Sequence, residues 1–271
     1  MIEMEKHVKP AVIMGKVVFD NDIVDELIEE VEKLRDVGDD AGKKLVGQLH
    51  NNEKSKQISL DLTTDVGKMW KKVMDSVGDK YLTDMVGRLS KSDCFEVWTN
   101  HAYAGDYNPY HTHGCSTMAG LSGFMWLSNP QSIEDRWNEW TSNIPPDAPK
   151  IPSLNNASGV IDGWTQCIWD VTSSQELGTL KPAGEEWLKP TVGHMWIFPN
   201  WLHHQVYPFF GEGERLSIAM NWNIYDSDEQ ILMGRSEEQK KQFYDMQDQR
   251  KKEKEVLEKA KEDGFFEKEV T

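Results

Sequence analysis

The sequence predicts an α+β protein that is mainly β: an antiparallel sandwich or barrel, preceded by packing helices and followed by a charged helix. Three observations predict it. Two amphipathic helical stripes lie within the first 90 residues, and from about residue 93 the apolar period changes from three-and-four to two. Residues 236–263 are dense in charges of both signs. The strand-like segments follow one another without βαβ alternation, which argues against a doubly wound parallel sheet. The organisation that results is an N-terminal strand and helices over 1–90, a β core over 91–225 with an insertion at 129–160, and a charged C-terminal helix over 226–271.

Ala11 to Phe19 reads as a short strand, and Asp20-Asn21-Asp22 as a helix start. Val24, Leu27, Ile28, Val31 and Leu34 then share one helical face, and a glycine- and charge-rich connection at 37–44 ends the helix. Thr63-Thr64-Asp65 opens a second helix, where Val66, Met69, Trp70, Val73, Met74 and Val77 form the stripe that packing against a sheet requires. Phe95, Val97 and Thr99 alternate with Glu96, Trp98 and Asn100 as a strand. Further strands are expected at 120–128, 164–170, 192–198, 205–208 and 215–222. The stretch 129–157 is too long for a hairpin loop, and Trp137 and Trp140 within it are candidates for lining a substrate groove beside a core-packing role. The C-terminal helix has apolar residues too sparse for a full core face, which suits weak docking or self-association into a homo-oligomer.

The 271 residues include 38% hydrophobic residues, and no apolar run reaches the roughly 18 residues of a membrane span. The first ten residues lack the apolar stretch of a signal peptide, so cytoplasmic residence is the expectation, in a host cytoplasm if the chain is phage-encoded. The Asn156-Ala157-Ser158 sequon is then without consequence. Cys94, Cys115 and Cys167 are odd in number and widely spaced, which argues against a disulfide framework or a zinc ribbon. A net charge of −16 repels phosphate backbones and disfavours nucleic acid as a partner.

The chemistry concentrates in Asn108-Pro109-Tyr110-His111-Thr112-His113-Gly114 and in Phe198-Pro199-Asn200-Trp201-Leu202-His203-His204-Gln205-Val206. Imidazoles at i and i+2 of an extended segment share a face and can reach one ion, and a distant third histidine can complete the set. His203 and His204 point to opposite faces, and periodicity does not choose between them. Downstream, Arg215, Ser217, Ala219 and Asn221 share a polar or small face, whereas Leu216, Ile218, Met220 and Trp222 form an apolar one. An arginine beside a hydroxyl can seat a carboxylate; a structural salt bridge from Arg215 to Glu212 or Glu214 is the competing reading. Histidines in this order point to a mononuclear non-haem iron site.

The pattern Tyr103-x-Gly105 to His111-x-His113, then Ser122-Gly123-x-x-Trp126-Leu127, then Gly193-x-x-x-Ile197-Phe198-Pro199-x-Trp201-Leu202-x-His204-x-Val206-x-Pro208, then Arg215-Leu216-Ser217-Ile218-Ala219-x-Asn221, resembles the 2-oxoglutarate- and Fe(II)-dependent oxygenases. The likeness runs from about Asp93 to Trp222 and is closest to members from marine bacteria and cyanophages. It implies a double-stranded β-helix, the cupin-like jelly roll. It selects His204 over His203, and it implies His111, His113 and His204 as ligands of Fe(II). Arg215, Ser217, Asn221 and Tyr103 would surround 2-oxoglutarate. O2 and an organic substrate complete the reaction, which forms a hydroxylated product, succinate and CO2.

One departure stands out. Most of that superfamily carries Asp or Glu where this chain has His113. Three neutral imidazoles leave both charges of Fe(II) to anionic cosubstrate, and Asp106 is the acid nearest in sequence that could supply a carboxylate instead. The departure keeps two other readings open: a three-histidine iron oxygenase that does not use 2-oxoglutarate, and a non-catalytic jelly-roll binding module.

Overall fold

Thr64 caps the second helix as its sequence suggests: its hydroxyl accepts from the Gly67 N–H at 3.0 Å and satisfies one of the helix's orphan donors. The computed structural model describes residues 3–8, 12–36, 38, 40, 55–147, 160–169 and 184–262. The connection at 37–44 lies largely outside these residues, as do the Asn156 sequon and the part of the insertion from 148 to 159. Helix α1 spans Asn21–Leu34 and buries Val24, Leu27 and Val31. Helix α2 spans Asp65–Lys80 and buries Trp70, Met74 and Val77. Met69, expected in that buried stripe, is 58% exposed and lines an outward groove with Ile23. The chain runs on into a π-helical turn, Tyr81–Val86, which stops at Gly87 with φ of 74°, a left-handed value that glycine adopts without strain.

Among the described residues are eleven strands: β1 Met4–Val8, β2 Ile13–Val18, β3 Lys56–Ser59, β4 Ser90–Ala102, β5 Asn108–His111, β6 Gly120–Ser128, β7 Thr165–Ile168, β8 Glu185–Leu188, β9 His194–Pro199, β10 His203–Val206 and β11 Arg215–Asp226. A seven-stranded sheet has the order β1-β2-β9-β6-β11-β4-β3, and a four-stranded sheet the order β5-β10-β7-β8. The apolar face of β11, with Leu216, Ile218, Met220 and Trp222, shares one core with the buried faces of α1 and α2. Each such side chain contributes about 1.5–3 kcal/mol through burial. Trp222 also donates to the Met74 carbonyl at 3.0 Å. A side chain at Gly78 would run into Ser92 and Trp222, so α2 lies directly on the sheet. A second core joins Met14, Trp126, Trp196 and Phe198 of the large sheet to Cys167 and Leu188 of the small one. The layers are therefore helices, large sheet, small sheet. The two facing antiparallel sheets form the expected jelly roll.

Some elements carry no strong sequence signal. β1 is charged because it is a sheet edge, where solvated side chains are tolerated. β5 contains Pro109, which an edge strand accepts because no neighbour needs its missing N–H. Helix α3, Gln131–Ser142, occupies the start of the insertion and buries only Ile133, too little to make a stripe.

Met1–Tyr225 form one unit and Asp226–Thr271 a second. The second contains α4, Asp228–Leu232, capped by Ser227, and α5, Glu237–Glu262, which leaves Tyr244, Met246 and Val256 exposed. Among the described residues no helix is long and apolar enough to cross a membrane.

Candidate metal centre and its pocket

β5 and β10 are antiparallel neighbours, and their register sets His111 opposite His204. The two ring centroids are 4.3 Å apart. β5 ends at His111, so strand alternation does not place His113, contrary to the extended-segment argument. Asn200 places it. The Asn200 carbonyl accepts from the His113 N–H at 3.1 Å, and its Nδ2 donates to the His113 carbonyl at 2.9 Å. The His113 ring then lies 5.0 Å from both other rings, centroid to centroid. One ligand nitrogen from each histidine falls within 4.8 Å of the others, and the Nε2 atoms of His113 and His204 approach to 3.2 Å.

The protonation pattern suits a cation. His111 Nδ1 lies 2.6 Å from the Pro109 carbonyl, and His204 Nδ1 lies 2.9 Å from the Leu202 carbonyl. A carbonyl only accepts, so each Nδ1 carries the hydrogen and each Nε2 presents a lone pair to the shared centre. Burial pushes all three rings toward the neutral form: His111 below its ordinary value, His113 down to about 4, and His204 well below. Neutral imidazole is the ligating form. Three converging imidazoles match the donor preference of Fe, Zn, Cu or Ni, so the residues present fit a divalent transition metal. His203 turns the other way and stacks on Tyr110, with centroids 4.5 Å apart and planes at 10°. His204 is 5% exposed.

The histidines open into a pocket of about 610 Å³, counting its mouth, which also contains Arg215, Ser217 and Ala219. Trp98, Phe124, Trp126 and Phe198 give it aromatic walls, and Asn100, Asn108, Ser122 and Thr165 add amides and hydroxyls. Among the described residues no acidic side chain lines it, and Arg215 is their one permanent charge. Arg215 is 4% exposed, and its Nη1 donates to the carbonyls of Gly163 at 2.9 Å and Tyr207 at 3.3 Å. Burial lowers its pKa to about 10, against the opposing influence of Asp106, and it stays charged at neutral pH. Among the described residues Arg215 makes no ion pair. Glu214, the competing partner, is taken by Arg35 at 2.7 Å and His101 at 3.0 Å, and accepts from Tyr103 Oη at 2.8 Å.

The other sequence candidates lie around the pocket rather than on it. Tyr103 is bound to Glu214 and Arg35. Asn221 accepts from Ser122 Oγ at 2.7 Å and donates to Glu96 Oε2 at 2.9 Å. Neither is among the lining residues. Asp106 is fully buried, accepts from Ser55 and from the Tyr103 N–H, and stands outside the three-histidine group. Cys115, two residues after His113, is half-buried and accepts from Asn200 Nδ2 at 3.4 Å. Trp137 packs on Trp140 and Trp164, with Lys189 above its ring, and lines no wall of this pocket. α3 supports the pocket differently: Ile133 fills the space beside Gly163, whose carbonyl holds Arg215. Asn200 and Asn108 escape sequence reasoning. Asn200 sits in a variable position of the Phe-Pro-x-Trp motif, and Asn108 carries no spacing signal.

Known proteins resemble this chain in sequence pattern and in fold. Residues 96–221 match the family model described as "Putative 2OG-Fe(II) oxygenase". Among solved structures, the non-haem alpha-ketoglutarate-dependent epimerase SnoN from nogalamycin biosynthesis superposes with a TM-score of 0.50 at 12% identity, covering 79% of this chain and 78% of that one. A Pseudomonas putida prolyl-4-hydroxylase gives 0.48 at 13% identity, covering 79% and 92%. HygX from Streptomyces hygroscopicus, solved with nickel and 2-oxoglutarate bound, gives 0.46 at 10% identity, covering 78% and 82%. A search of curated proteins found no match. The match to that family model falls on the jelly-roll core, and the fold is that of the SnoN structure. The protein is thus an oxidoreductase whose cofactor is Fe(II) and whose cosubstrate is 2-oxoglutarate.

Proposed function

We propose that His111, His113 and His204 bind the Fe(II), that Arg215 and Ser217 seat the far carboxylate of 2-oxoglutarate, and that the enzyme hydroxylates an organic substrate. One observation carries the proposal: a single acid-free pocket contains three imidazole nitrogens within 4.8 Å of one another and one buried guanidinium. Carbonyls occupy Nη1 of Arg215, which leaves Nε and Nη2 as a fork for a carboxylate. Ser217 lies on the same face of β11 and adds a hydroxyl. Trp98, Phe124 and Phe198 exclude water from the space between guanidinium and histidines, which strengthens every charge interaction there. Fe(II) with 2-oxoglutarate supplies the O2 activation, with succinate and CO2 as coproducts.

The test is anaerobic titration with Fe(II) and 2-oxoglutarate, followed by admission of oxygen. A weak visible charge-transfer band and succinate formation are expected; absence of both overturns the proposal. His113 at the usual carboxylate position favours one rival, a three-histidine oxygenase independent of 2-oxoglutarate. Oxygen uptake unaffected by omitting 2-oxoglutarate would establish it. We also assign the protein to the cytoplasm, supported by its free thiols Cys94, Cys115 and Cys167. Self-association through α5 is supported by its exposed Tyr244, Met246 and Val256, and sedimentation of Met246→Glu against wild type tests it.

A further inference from the structure

The inner face of β4 carries Asn100, Trp98 and Glu96 in order toward the surface. Asn100 reaches Ser217 at 3.5 Å, next to the seat proposed for the cosubstrate. The Trp98 ring lies 5.6 Å from that of His113. Glu96 follows about 7 Å further along the strand, exposed to solvent. The histidines therefore have a buried cation on one side and an exposed carboxylate on the other.

Glu96 is held in place. Asn221 beneath it is 3% exposed; its oxygen accepts from Ser122 Oγ at 2.7 Å, which orients the amide so that Nδ2 donates to Glu96 Oε2 at 2.9 Å. Glu96 is exposed, and among the described residues no lysine, arginine or histidine pairs with it. Among the described residues the pocket lining itself offers a cation no counter-charge.

We infer that Glu96 is a specificity-determining residue that binds a cationic group, an amine or guanidinium, on the substrate. This rests on the oxygenase reading for the word substrate, but the cation site itself does not. An exposed ion pair alone contributes little. Here the half-buried ring of Trp98 lies on the same face and supplies a π surface to the same cation. The net charge of −16 also draws cations toward the protein. The bound cation fixes one end of the substrate, and the carbons next to it extend past Trp98 toward the histidines.

The experiment compares hexylamine, hexanol and hexanoate by calorimetry on anaerobic protein loaded with Fe(II) and 2-oxoglutarate, where binding proceeds without turnover. Wild type is expected to bind hexylamine at least tenfold more tightly than either analogue. Glu96→Gln brings the three to parity, Glu96→Asp keeps the preference, and Glu96→Lys turns it toward hexanoate. Equal binding of the three by wild type, or a preference that survives in Glu96→Gln, overturns the inference. Succinate formation by wild type is read separately. Amine preference without succinate sinks the oxygenase reading and leaves the cation site standing; succinate without amine preference sinks only the role of Glu96.

Discussion

Asn200 grips His113 at both ends of its backbone, accepting from its N–H at 3.1 Å and donating to its carbonyl at 2.9 Å. His113 lies past the end of β5, so this pair replaces the strand as the source of its position. Groups that orient a metal ligand typically matter by about 10–100-fold in metal affinity. Asn200→Ala is expected to weaken Co(II) binding by about that factor while costing only about 1 kcal/mol of stability. Cobalt titration and urea denaturation read the two effects independently.

His203 and His204 are adjacent but differ in surroundings: one stacks on Tyr110 outside, the other is buried opposite His111. His204→Ala is expected to abolish tight metal binding. His203→Ala should leave it within about twofold, since surface changes usually cost under about 0.5 kcal/mol. Equal losses in both variants would refute the assignment of His204.

Arg215→Lys keeps the charge and loses the fork. Hydrogen bonds to charged groups contribute about 1.5–3 kcal/mol, which corresponds to roughly 10–150-fold. The KM for 2-oxoglutarate should rise within that range, with a smaller change in kcat. A kcat loss at unchanged KM would move Arg215 out of the cosubstrate seat.

Glu214 gives a pH signature. Burial alone would raise its pKa, but hydrogen bonds with His101, Arg35 and Tyr103 outweigh burial and leave it at about 2. A carboxylate with a depressed folded pKa stabilises the protein above its unfolded value of about 4.5, and that stability is lost as pH falls toward 2. The loss amounts to on the order of 3 kcal/mol. Glu214→Gln should flatten this part of the acid limb, as measured by urea midpoints between pH 5 and pH 2.5.

The helices over 21–34 and 65–80 are legible because a stripe must repeat at three and four to be buried, and both do. β11 is legible for the same reason at period two. β1 and β5 are not, since edge strands answer to one neighbour and tolerate charge or proline. His204 stands out within its Phe-Pro-x-Trp-Leu-x-His context, but the asparagine that positions His113 has no pattern of its own. The polar face of β11 foretells a cavity wall at Arg215, Ser217 and Ala219. Alternation cannot show that the cavity ends before Asn221, because that depends on Glu96 reaching across from β4.

The register that sets His111 opposite His204 joins an edge strand, paired on one side only, to an interior strand of the same sheet. An ion shared by these histidines is a cross-link over the seam between β5 and β10. Its removal leaves β5 held by backbone pairing and the Tyr110–His203 stack, so fraying, proteolytic nicking and edge-to-edge aggregation of the metal-free protein should all begin at Asn108–His111. With iron as the shared ion, its supply would set shelf life as well as turnover.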